Sequence, residues 1–142
     1  MARSKRLDSD ADRGMIIRQM SFIEDLLVAN GAQGDSAVKK WKSIEGKLDA
    51  GLIRELNYLN GIRNKVSHNS QFLLTSDEIE AFRGKSKKLQ EALISKLDED
   101  RRPYFQTTSA ALLSGKKSLL MKALTAMALA GITLLSLLKC LT

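Results

Sequence analysis

Apolar residues recur every three to four positions in four separate stretches of this 142-residue chain, and that spacing confines it to helices packed face to face. The first stretch carries Met15, Ile16, Met20, Ile23, Leu26 and Leu27. It follows an acid-rich start at Asp8, Ser9, Asp10 and Asp12 that suits a helix N-terminus, and Asn30-Gly31 reads as its stop. A second, shorter helix is expected after Asp35 or Ser36, with Val38, Trp41, Ile44 and Leu48 on one face. A third begins near Ala50 and carries Leu52, Ile53, Leu56, Leu59, Ile62 and Val66, with Gly61 inside it as a residue kept for packing. Thr75 and Glu78 have capping-box spacing and open a fourth helix, whose apolar face is Ile79, Phe82, Leu89, Leu93, Ile94 and Leu97. Seven aromatic residues and one proline argue against a sheet, because strands favour aromatic and β-branched residues. The expectation is an all-α fold, an antiparallel helical bundle over residues 1–100.

The charge is unevenly spread. Residues 1–115 hold 19 Lys and Arg and all 16 Asp and Glu, a net of +3, whereas residues 116–142 hold Lys116, Lys117, Lys122 and Lys139 and no acid. The run Ala123–Leu138 is uncharged and as a helix would span about 24 Å. With the flanking apolar residues, 118–141 is long enough to cross a bilayer core of about 30 Å. It is apolar all round, which also suits a buried central helix or an oligomerisation helix. Residues 101–117, with Pro103, Thr107, Thr108, Ser109 and Gly115, read as a linker to this segment. Lysines on the upstream side of the apolar run place the helical bundle in the cytoplasm, tethered to the cytoplasmic membrane; a cytoplasmic protein without a tether is the alternative. The polar start, Met1–Arg13, has no apolar run of the kind a signal peptide needs.

Two counts exclude whole classes of chemistry. The chain has one Cys, Cys140, and one His, His68. A Cys-based zinc cage and an intramolecular disulfide are impossible, Cys–His catalysis has no support, and no glycine-rich phosphate loop occurs. The expectation is a site with no metal and no cofactor. The run Lys85, Lys87, Lys88 lacks interleaved aromatics and reads as a solvated face.

His68 lies five residues after Arg63 in the string Leu59-Asn60-Gly61-Ile62-Arg63-Asn64-Lys65-Val66-Ser67-His68-Asn69. The pattern of Arg, a polar residue, three variable residues and His, late in an apolar helix, resembles the signature of the HEPN superfamily. The resemblance covers the motif closely and the helical order of residues 10–98 loosely. It implies an endoribonuclease that needs no metal, a homodimer whose paired motifs line a shared cleft, a toxin or phage-defence role, and RNA as substrate. It also allows a neutralising or regulatory protein partner.

The residue types suit that chemistry. Attack by a ribose 2′-hydroxyl on the adjacent phosphate needs a base, an acid and a cation. Imidazole titrates near neutrality, so His68 can serve as acid or base. Arg63 can brace the phosphate with a forked pair of donors. Asn64 and His68 share a helix face and could hold one ring orientation. Arg63 and His68 are about 140° apart around the axis, so they meet through a long reach, a distorted helix or two chains. Plainer readings stand beside these. Arg63 would pair with Glu55 or Asp77, His68 would serve the helix C-terminal dipole, and Asn69 would be the helix stop. The whole bundle would then be a binding or regulatory module that recruits a partner to the membrane.

Overall fold

The computed structural model describes residues 9–69 and 72–114, and all of its regular structure is helical. Helix α1 spans Ser9–Ala29, α2 Ala37–Ser43, α3 Ala50–His68, α4 Ser76–Ser95 and α5 Arg102–Ser114. A single 3₁₀ turn at Glu45–Lys47 follows α2.

Local chemistry sets the ends. Ser36 caps α2 by accepting from the Lys39 N–H, and Asp49 caps α3 by accepting from the Leu52 N–H. The expected capping box is present: Thr75 Oγ1 accepts from the Glu78 N–H at 3.1 Å, and the Thr75 N–H donates to Glu78 Oε1 at 2.9 Å. After α1 the chain turns at Gly31, whose φ of +100° is a conformation that side-chain-bearing residues avoid.

Contacts between helix ends fix the topology. The start of α1 meets the end of α3 through Arg13 and Val66, and the end of α1 meets the end of α4 through Asn30 Nδ2 and the Leu93 carbonyl at 3.1 Å. Arg101, just ahead of α5, donates to the carbonyl of Ala29 at 2.9 Å. Helices α1 and α4 therefore point one way and α3 and α5 the other, an up-down-up-down bundle with α2 folded into the α1–α3 connection. Helix α1 packs on all the others. Its Ile16, Met20, Ile23, Leu26 and Leu27 are completely buried, as are Leu56 and Leu59 of α3 and Phe82, Leu89 and Leu93 of α4.

Several expectations are corrected. The linker expected over 101–117 is helical across Arg102–Ser114, and it belongs to the core through buried Phe105, whose ring lies 6.1 Å from that of Phe22. Pro103 is tolerated in the first turn, where no helical N–H bond is lost. The hydroxyls of Thr107 and Thr108 are absorbed by the carbonyls of Pro103 and Tyr104, four residues back. Ser109, read as linker, is buried and donates to Gln90, which donates in turn to Ser86, so the α4–α5 seam carries a satisfied polar chain. Helix α2 ends earlier than expected, although Ile44 and Leu48 are buried as foreseen. Gly61 faces open space, so packing does not require it. Among the described residues no helix is long and apolar enough to cross a membrane, and the segment 118–141 lies outside them.

Because Phe105 is a core residue, Phe105→Ala should lower stability by about 3 kcal/mol. A linker residue would change it by no more than about 0.5 kcal/mol. Chemical denaturation of the two proteins reads the difference.

Candidate functional site

The residues singled out in the sequence sit on the second half of α3. Arg63 is half-buried, and three neighbours fix its guanidinium. Nη2 donates to Asn60 Oδ1 at 2.8 Å, Nε donates to Asn64 Oδ1 at 3.3 Å, and Nη1 lies 3.6 Å from Glu24 Oε2 of α1. The other oxygen of Glu24 pairs with Lys40 Nζ of α2 at 3.3 Å. One carboxylate thus joins two cations drawn from different helices. The side chains of Glu24, Lys40 and Arg63 are 20%, 18% and 26% exposed, so all three remain within reach of solvent. Partial desolvation, with the neighbouring Glu24 charge as the smaller cause, raises the Asp25 carboxyl from its ordinary value, while Lys40 acts in the opposite direction.

His68 is the last residue of α3 and is exposed. No hydrogen bond joins it to Arg63 or Asn64 among the described residues. Asn64 turns to Arg63 instead, so the expected Asn64–His68 pairing is replaced by an Arg63–Asn64 pairing. The ion-pair partner of Arg63 is Glu24 rather than Glu55 or Asp77; Glu55 pairs with Lys85 at 3.1 Å. Lys85 also lies over the Tyr58 ring, so the lysine run is not wholly a solvated face. Asn69 is the expected stop, its N–H donating to the Lys65 carbonyl at 3.1 Å.

The end of α3 is held from outside. The guanidinium of Arg13, in the second turn of α1, donates to the carbonyls of Val66, Asn69 and Phe72. Carbonyls at a helix C-terminus lack partners within the helix, and a cation there meets the negative end of the dipole. Arg13 therefore takes the capping role considered for His68 and leaves the imidazole open to solvent. Neither Arg13, Glu24 nor Lys40 was singled out in the sequence. Their partners are 53–59, 39 and 16 residues away or distributed over several helices, and no local spacing marks such contacts.

No group of three His, Cys, Asp or Glu side chains that would hold a metal ion occurs among the described residues. Comparison of the chain with protein-family models, curated proteins and solved structures finds no match, so the chemistry of the site rests on its own residues.

Arg13→Ala should leave the bundle folded but loosen the end of α3. Amide exchange at Asn69 and Phe72 should quicken and global stability fall by about 2 kcal/mol, the scale of a charged donor lost from carbonyl partners.

Proposed function

We propose that the protein is an endoribonuclease of HEPN type that needs no metal, works as a homodimer and is held at a membrane by residues 118–141. The observation that carries the reading is the state of Arg63. Two neutral amides, Asn60 and Asn64, orient its fork, so the cation is set in place before any substrate arrives. An exposed imidazole stands five residues on, at the end of the same helix.

In this mechanism His68 takes the proton from a ribose 2′-hydroxyl. The oxygen attacks the adjacent phosphorus, and the bond to the 5′-oxygen breaks. The imidazolium returns that proton, through solvent, to the leaving oxygen, giving a 2′,3′-cyclic phosphate and a 5′-hydroxyl. Arg63 stabilises the charge that builds on the phosphoryl oxygens. Arg63 points toward α1 and α2 within one chain, which favours a site assembled from two chains. The exposed apolar residues Ile17 and Leu73 suit such an assembly. Ile17 is one turn beyond Arg13, and Leu73 follows the Phe72 carbonyl that Arg13 holds, so both flank the end of α3. A toxin or defence effector of this kind works on transfer or messenger RNA and is restrained by a neutralising protein partner.

The Glu24–Arg63 ion pair favours a second reading, in which Arg63 serves only to join α1 and α3. The bundle is then a non-catalytic binding module that recruits a partner to the membrane.

RNA cleavage by the full chain in vesicles, with a chelator present, separates the two. Wild type should cut. His68→Ala and Arg63→Ala should each lower the rate by about a hundredfold or more, with unchanged helix content. Undiminished cutting by His68→Ala overturns the catalytic reading.

A further inference from the structure

We propose that Glu24 occupies an anion seat formed by Arg63 and Lys40, that an RNA phosphodiester displaces it there, and that Lys40 is a second phosphate-binding residue. The inference rests on the reading of Arg63 as a phosphate-contacting group.

The geometry is that of an anion held between two cations. Glu24 Oε1 lies 3.3 Å from Lys40 Nζ, and Glu24 Oε2 lies 3.6 Å from Arg63 Nη1. A phosphodiester also offers two charged oxygens on one centre, and guanidinium and ammonium groups are its usual protein partners. The cations do not depend equally on Glu24. Arg63 keeps its two amide partners when the carboxylate leaves, so the seat persists without its occupant. Lys40 is anchored on α2, whose N-terminus Ser36 caps, and it approaches from a different helix than Arg63. The 3.6 Å contact with Arg63 is looser than the 2.8 Å bond to Asn60, as an exchangeable ligand should be.

Charge gives the exchange its direction. With Asp25 counted, Lys40, Arg63, Glu24 and Asp25 balance to zero, and removing the Glu24 charge leaves a net of +1. In the free protein Glu24 and Asp25 together offset the two cations, and Glu24, seated between them, prevents non-specific capture of anions. A polyanion that supplies its own phosphate replaces it at little electrostatic loss. Glu24 thereby sets a threshold that only a well-placed phosphate passes.

The test is binding of a labelled 2′-O-methyl RNA oligonucleotide, which lacks the attacking hydroxyl and cannot be cut, to the full chain in vesicles over a range of salt concentrations. Glu24→Gln should tighten binding about fivefold, the scale of one partly exposed charge pair. It should also steepen the salt dependence by up to about 0.7 in log–log slope, because no carboxylate then competes with the phosphate for Arg63 and Lys40. Lys40→Met should weaken binding and flatten the slope by a similar amount, and it should cancel the gain in the double variant. An unchanged affinity in Glu24→Gln, with only a lower melting temperature, overturns the proposal, as does an unchanged slope in Lys40→Met. Tightening by Glu24→Gln in a protein that cuts no RNA would leave the anion seat standing and remove the nuclease reading. Cutting that depends on His68, with no response to Glu24→Gln or Lys40→Met, would do the reverse.

Discussion

Helix α1 must be buried on more than one side, and the bundle is arranged to meet that demand. Ile16, Met20, Ile23, Leu26 and Leu27 cover a wide arc of its surface and are completely buried. Each such side chain contributes roughly 1.5–3 kcal/mol when removed from water, and five of them lie on this one helix. No one partner helix covers that arc. Helix α3, α4 and α5 each take a part, and α2 closes the end near Trp41. The place of Arg63 follows from this packing. Because α3 lies along α1, residue 63 comes within reach of Glu24, and because α2 folds back over the α1–α3 connection, Lys40 reaches the same carboxylate.

Arginines then complete the ends. Helices α1 and α4 have no basic residue in their last turn, and each borrows one. Arg101 donates to the Ala29 carbonyl at the end of α1, and Arg102 donates to the Ser95 and Leu97 carbonyls at the end of α4. Arg13 does the same for α3. These contacts satisfy carbonyls that packing alone would leave without partners. At α3 the arrangement also relieves His68 of a capping duty.

Helices α1, α3 and α4 were legible in the sequence because each writes its buried face at helical spacing, and α4 also writes its cap at a fixed offset, at Thr75 and Glu78. Helix α5 was not. Pro103, Thr107, Thr108 and Ser109 resemble a linker when their partners are unseen, and only the burial of Phe105 and the back-bonded hydroxyls reveal a helix. The same limit governs the site. Arg63, Asn64 and His68 stand out as a short string, whereas Glu24 and Lys40 join it only through the fold. The pairing of Asn64 with Arg63 rather than with His68 was equally hidden, since both partners lie within reach on the helix and the side chain must choose.

The central claim is that Arg63 and His68 belong to one catalytic site built by two chains. Complementation tests it most directly: the full chain carrying Arg63→Ala is mixed during expression with the chain carrying His68→Ala, and RNA cutting by the mixture is measured. Neither variant alone should cut. Random pairing makes half of the dimers mixed, each with one intact site of two, so activity should return to about a quarter of wild type. A mixture as inactive as its components would contradict the shared site.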